Sequence, residues 1–330
     1  MTSQTKTNTR VRSVALIGAR GHTGAELIAL LSDHPHFELR LVTSRALAGQ
    51  RVDGIHSGAP AGLCFENVDP SVVGIRGIDV WVLALPNGLS APWVEAIDAN
   101  SLKADQKSAI IVDLSGDHRF DENWIYGLPE ARRRTLVNAT RIANPGCYAT
   151  GAQLVLLPMV DLLEGAPNVF GVSGYSGAGT TPSPKNDPEQ LRDNLMPYAL
   201  TGHGHELEVR WQLGHPVYFM PHVASFFRGI TLTVSMQLSR PLDVEEVLDR
   251  YRARYEFEPL VEVTKDMPLV QAAAGRHVCT IGGVHVEATE AHIVVVATLD
   301  NLLKGAATQA LQNMNLACGF DELSGIRSLL

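Results

Sequence analysis

Cys147 follows the Pro145-Gly146 turn and precedes an amphipathic run from Ala149 to Val160. That spacing predicts a cysteine at or near a helix N-terminus, where the positive end of the backbone dipole favours thiolate over thiol. A thiolate is the side chain best suited to attack an activated acyl group. Such a nucleophile needs a proton acceptor and later a donor. His203 and His205 form a compact pair in a glycine-flanked segment, followed by Glu206 and Glu208. An imidazole exchanges protons near neutral pH and a neighbouring carboxylate can orient it, so either histidine is a candidate acid–base. Arg119, just past a predicted strand, is the candidate anchor for an anionic substrate. Asn144, at the head of the turn into Cys147, and Glu208 are grouped with it as substrate-binding candidates.

A second set of residues suits a hydride carrier. Gly18, Gly21 and Gly24 form G-x-x-G-x-x-G between a predicted strand and a predicted helix, with Arg20 and Thr23 in the same turn. Glycines there let the backbone approach a pyrophosphate while helix N–H groups bind it. A reader of NAD places Asp or Glu about 20 residues past the turn, against the ribose 2′-hydroxyl. This chain has Thr43-Ser44-Arg45 there. Ser44 can donate a hydrogen bond and Arg45 can pair with a 2′-phosphate through its fork of donors, which selects NADP. Pro86 and Ser115 lie in loops after further strands, where such sheets bind their ligands. Gly177, Ala178 and Gly179 form a small-residue loop that would admit the nicotinamide closely. Asn301, before the last helix, is expected to hydrogen-bond its carboxamide. A nucleophilic thiol together with a hydride carrier implies reduction of an acyl group through a thioester. No metal site is expected, because His203-x-His205 lacks a further ligand and the four cysteines show no C-x-x-C.

The elements that must position these residues fall into two textures. Ser13–Ile17, Glu38–Thr43, Ile78–Leu85, Ala109–Asp113 and Arg141–Ala143 read as strands, with a helix over Ala25–Ser32. This is the opening of a parallel nucleotide-binding sheet. After Cys147 come extended segments: Val169–Gly174, Val217–Met220, Ile230–Leu238, His277–Gly283, Val284–Ala288 and Ile293–Leu299. One helix, Val244–Tyr255, interrupts them behind Asp243 as its cap, and Lys304–Cys318 closes the chain as another. That pattern predicts a mostly antiparallel sheet with helices on one face. The expected fold is therefore α/β plus α+β. A Rossmann-like, doubly wound parallel-sheet domain spans residues 13–147 and 302–330. A catalytic and dimerisation domain spans 148–301, and 1–12 form a disordered tail.

The bulk properties agree. A chain of 330 residues suits about two domains. A net charge of −8 argues against a nucleic-acid partner. No apolar run approaches the roughly 18 residues of a membrane span. Without a secretion signal, the cysteines are expected to be free thiols in a cytoplasmic, reducing setting.

Taken in order, these segments resemble one family, the N-acetyl-gamma-glutamyl-phosphate reductases. The motifs are GARGHTGAEL (Gly18 to Leu27), DLSGDHRF (Asp113 to Phe120), YGLPE (Tyr126 to Glu130), NPGCYAT (Asn144 to Thr150), SGYSGAGT (Ser173 to Thr180), FMPHVASFFRGI (Phe219 to Ile230) and DNLLKGAATQALQNMNL (Asp300 to Leu316). The resemblance implies NADP as cofactor, a cysteine nucleophile at Cys147 and a histidine pair at His203 and His205. It implies a small acyl-phosphate substrate and self-association as a homodimer or homotetramer. The family's H-R-H-x-P-E pattern carries Gly204 and Leu207 here in place of Arg and Pro, with Glu208 in register. Aspartate-semialdehyde dehydrogenase, which shares the thioester logic, and a non-catalytic NADP-sensing regulator are the alternative readings.

Overall fold

The structure, a computed structural model, describes residues 11–103, 108–287 and 289–326. Most of the tail expected over residues 1–12 lies outside the described residues. Arg12 departs from that expectation. It begins β1 (Arg12–Ile17), where it pairs with Phe37 and its guanidinium meets Asp79 at 3.3 Å.

The first sheet contains β1, β2 (Phe37–Thr43), β3 (Phe65–Glu66), β4 (Val80–Leu83), β5 (Ile110–Asp113), β6 (Ile125–Tyr126) and β7 (Arg141–Ala143). Their order is β3-β2-β1-β4-β5-β7-β6, and every pairing is parallel. Parallel strands covered on both faces need near-continuous apolar sequence. The buried runs Val14–Ile17 and Val80–Leu83 provide it. The connecting helices are α1 (His22–Ser32), α2 (Val73–Arg76), α3 (Ala91–Lys103) and α4 (Pro129–Leu136). Trp81, Trp93, Ile97 and Ile111 form part of the core on this sheet.

The second sheet holds β8 (Asn168–Gly174), β9 (Leu195–Pro197), β10 (Tyr218–Ala224), β11 (Ile230–Gln237), β12 (Val261–Val263), β13 (Cys279–Glu287) and β14 (His292–Leu299). Its order is β12-β13-β14-β11-β8-β10-β9. The β8–β10 and β12–β13 pairs are parallel and the other pairings antiparallel. Burial alternates along β11, as expected of a sheet covered more on one face than the other. The helices here are α5 (Cys147–Leu156), α6 (Pro188–Leu191), α7 (Gly204–Leu213), α8 (Val244–Tyr255) and α9 (Val270–Ala273). Gly151 lets α5 lie directly on this sheet, since a Cβ there would come 2.5 Å from Leu232 Cδ1. Tyr251 and Tyr255 of α8 donate their hydroxyls to the Val155 and Leu154 carbonyls of α5.

Two expectations change. The strands predicted over 277–283 and 284–288 are one strand, β13, with a register shift between Gly282 and His285 and Gly283 at φ 56°. A left-handed residue absorbs the bulge without ending the strand; Ala288 lies outside the described residues. The closing helix starts with a π-type turn, Leu303–Ala307, and only then becomes α10 (Thr308–Cys318).

The chain divides into two compact units. The first comprises the chain through His118, with Glu122–Asn144 and the return from Ala310; the second comprises Arg119–Asp121 and Pro145–Gln309. Among the described residues, no helix is long and apolar enough to cross a membrane.

Candidate active site

Cys147 is the first residue of α5, with Gly146 as the N-cap. No side chain caps this terminus and its first turn holds no acidic residue, so its N–H groups face outward with their partial positive charge. The Gly146 N–H is spoken for: it donates to Glu208 Oε1 at 2.9 Å. Glu208 Oε2 lies 2.9 Å from Arg119 Nη1, and the two side chains are 1% and 10% exposed. Arg119, Glu208 and Gly146 thus form one buried network behind the nucleophile.

The thiol does not have the lowered pKa expected from its helix position. Burial pushes Cys147 up to about 11, against the pull of the Tyr148 N–H and the Arg119 guanidinium, and the Glu208 carboxylate adds to the rise. Desolvation of an anion outweighs one helix terminus here. The resting side chain is a thiol and needs a base.

The two histidines have different surroundings. His203 is the N-cap of α7, and its Nδ1 accepts the His205 N–H at 3.1 Å. His205 turns its Nε2 toward the nucleophile's backbone: a Cβ on Gly146 would lie 2.1 Å from it. The Nδ1 of His205 is buried without a hydrogen-bond partner among the described residues. Burial, then the charges of Arg119 and His203, hold the His205 pKa well below its usual value. Burial and the charge of Lys185 also lower that of His203, against Glu206. Both shifts favour the neutral ring over the imidazolium.

In the other unit, the three glycines of the predicted dinucleotide turn have three separate reasons. Gly18, at φ 85°, leaves no space for a side chain, whose Cβ would meet the Ala84 carbonyl at 2.5 Å. Gly24 lets α1 approach the turn, where a Cβ would sit 2.5 Å from the Ala19 carbonyl. Gly21 is the N-cap of α1 and has open space around its Cβ position. With no side-chain cap and no acid in the first turn, this terminus suits a phosphate. Arg20 is exposed and Thr23 half-buried at the same turn. Arg45 is exposed just past β2, and Pro86 is exposed just past β4.

Several expected ligand-binding side chains also have hydrogen-bond partners within the fold. Ser44 is buried and its Oγ accepts the Leu47 N–H at 3.2 Å, which stabilises the turn presenting Arg45. Ser115 is buried and donates to Asp113 Oδ2 at 2.7 Å. Asn144 is buried, with its Oδ1 accepting from Asn313 Nδ2 at 3.0 Å and its N–H bonded to the Asp113 carbonyl. Asn301 has one hydrogen bond at each end of its amide, which leaves a second donor and a second acceptor site. Its Oδ1 accepts the Gly229 N–H at 2.7 Å, and its Nδ2 donates to Ser176 Oγ at 2.9 Å. It braces the turn Tyr175–Ala178, which carries Gly177 and Ala178; Gly179 follows at φ 77°. Arg119 pairs with Glu208 through its Nη1.

Sequence reasoning missed Gly305. A Cβ there would lie 2.7 Å from the Cys147 Cβ, so the π-type turn passes directly against the nucleophile. Its only signal is a glycine inside a helical pattern. Lys185 and Tyr198 were also missed. Tyr198 packs edge-on against His203 with ring centroids 5.5 Å apart, and Lys185 Nζ lies 4.7 Å from the Tyr198 ring centroid.

Residues 13–139 match the semialdehyde dehydrogenase NAD-binding domain, and residues 147–301 match the semialdehyde dehydrogenase dimerisation domain. The fold agrees with that class. The aspartate semialdehyde dehydrogenase II of Vibrio cholerae superposes with a TM-score of 0.75 at 21% identity, over 94% of this chain and 99% of that one. The NADP-bound aspartate semialdehyde dehydrogenase of Candida albicans gives 0.70 at 16%, over 94% and 99%. Sequence similarity is much higher elsewhere. The N-acetyl-gamma-glutamyl-phosphate reductase of Xanthomonas oryzae pv. oryzae is 55% identical over 99% of this chain and all (100%) of its own. That of Stenotrophomonas maltophilia is 53% identical over 95% and 98%. The chain belongs to the N-acetyl-gamma-glutamyl-phosphate reductase family.

Proposed function

We propose that this chain reduces N-acetyl-gamma-glutamyl phosphate to N-acetylglutamate 5-semialdehyde, releasing inorganic phosphate, as a step of arginine biosynthesis. The observation that carries this reading is the head of α5, where Cys147 opens the helix and His205 Nε2 lies against the preceding residue. NADPH is the reductant. The open N-terminus of α1 at Gly21 suits its pyrophosphate, and exposed Arg45, in a Thr43–Arg45 segment that holds no acid, suits a 2′-phosphate. When bound, the cofactor supplies the hydride.

His205 takes the thiol proton as the Cys147 sulfur forms its bond to the acyl carbon. The carbon–oxygen bond to phosphate then breaks and a thioester remains on Cys147. Coupling the proton transfer to attack is required because the thiol is held near 11. Acid–base help of this kind contributes roughly 10²–10⁴-fold. The outward N–H groups of the first α5 turn stabilise the oxyanion. After reduction the protonated imidazole returns its proton as the carbon–sulfur bond breaks and the aldehyde leaves. His203 holds the first turn of α7, Glu208 fixes Gly146, and Arg119 adds positive charge beside the sulfur.

The enzyme works in the cytoplasm as a homodimer or homotetramer; the match to a dimerisation domain supports self-association. The test of function is phosphate-dependent reduction of NADP with N-acetylglutamate semialdehyde. Turnover with that aldehyde and little with aspartate semialdehyde supports the reading; the reverse preference overturns it.

A further inference from the structure

Arg119 was the sequence's candidate for the substrate's negative charge, but it is buried in an ion pair with Glu208. An acyl phosphate brings several negative charges, which a second cation at the site would help to balance. Lys185 is placed for this. It sits in the turn Pro184–Asn186, where Ser183 and Asn186 form a reciprocal capping box. Asn186 Nδ2 also donates to the Gly179 carbonyl at 2.9 Å and the Thr181 carbonyl at 2.8 Å, which ties this turn to the Gly177–Gly179 loop. The Lys185 ammonium rests over the Tyr198 ring, a favourable cation–π placement. Tyr198 meets His203, and the His203 and His205 rings are 4.9 Å apart. Among the described residues, no carboxylate pairs with Lys185. Through Tyr198, His203 and His205 the ammonium joins the side chains that reach Gly146, the residue before the nucleophile.

We infer that Lys185 binds the phosphoryl group of the acyl phosphate, and inorganic phosphate in the reverse direction. An ammonium held over an aromatic face without a counter-ion is prepared for a phosphate oxygen. The phosphoryl group is attached to the carbon that sulfur attacks, whereas the substrate carboxylate lies at the far end of its carbon chain. Gly204, between the two histidines, adds no side chain there, and its Cβ position is open.

This assignment rests on the function proposed above. The experiment varies inorganic phosphate and N-acetylglutamate semialdehyde independently in the NADP-reducing direction, for wild type, Lys185→Gln and Lys185→Arg. Expected for Lys185→Gln is a rise in the phosphate KM of roughly tenfold or more. The aldehyde KM stays within about twofold, and Lys185→Arg recovers most of the loss. An unchanged phosphate KM overturns the assignment, as does an increase confined to the aldehyde. Absence of wild-type turnover refutes the function instead. Calorimetric titration with inorganic phosphate then decides Lys185: binding lost in Lys185→Gln supports the assignment, and equal binding overturns it.

Discussion

Glu208 accepts the Gly146 N–H at 2.9 Å, so a carboxylate 62 positions downstream fixes the residue that precedes the nucleophile. The same carboxylate balances the Arg119 guanidinium. Removing one partner of a buried ion pair leaves the other charge uncompensated, which costs about 3–5 kcal/mol. Glu208→Ala is therefore expected to lose about that much stability in urea denaturation. Glu208→Gln, which keeps an acceptor for Gly146, should fall between. A loss below about 1 kcal/mol for the alanine variant would contradict the network.

The raised thiol pKa has a direct readout. Alkylation of Cys147 by iodoacetamide in the free enzyme should rise about tenfold per pH unit from pH 7 to 9, following the thiolate fraction, with no plateau below about pH 10. Peptide mass spectrometry separates it from Cys64 and Cys318. An inflection near pH 7 would show a thiolate already stabilised at rest.

The histidine pair separates by position. His205→Asn should lower kcat by roughly 10²–10⁴-fold, as expected for loss of an acid–base group. His203→Asn keeps a side chain that caps helices well and should stay within about tenfold of wild type. Equal losses from both variants would remove the distinction between base and cap.

Arg45 is expected to choose the nucleotide. Hydrogen bonds to charged groups contribute about 1.5–3 kcal/mol. Arg45→Ala should therefore weaken NADPH binding by roughly tenfold or more while leaving NADH binding within about twofold. Equal weakening of both, measured by fluorescence titration, would count against a 2′-phosphate contact.

His34 predicts a pH dependence of stability away from the active site. Its Nδ1 accepts the His36 and Phe37 N–H groups, and its Nε2 meets the Ser324 carbonyl at 2.9 Å. Burial, assisted by His36 and opposed by Ser324 and Asn315, lowers its pKa from 6.5 to about 4. Between those values the unfolded chain takes up a proton that the folded chain refuses. The contribution is complete above pH 6.5, falls as pH drops toward about 4, and levels off below. Urea denaturation at pH 7, 5.5 and 4.5 should show a steeper acid loss for wild type than for His34→Asn; parallel curves would refute it.

The sequence by itself determined the features that depend on a few neighbouring residues. A Pro-Gly turn before an amphipathic run placed Cys147 at a helix head, and the glycine turn between strand and helix marked the dinucleotide loop. The missing acid after β2 indicated the nucleotide, and apolar runs distinguished the parallel sheet from the later, mostly antiparallel one. Tertiary structure decided what depends on distant partners and on exclusion of water. Nothing local to Arg119 announces Glu208, 89 positions away, and nothing local to Asn301 announces that Gly229 and Ser176 each bond one end of its amide. His203 and His205 look alike in sequence because the difference lies in one cap bond and one contact with Gly146. The helix dipole at Cys147 is legible from the sequence, but the burial that overcomes it is not, since desolvation is set by every chain segment packed around the sulfur.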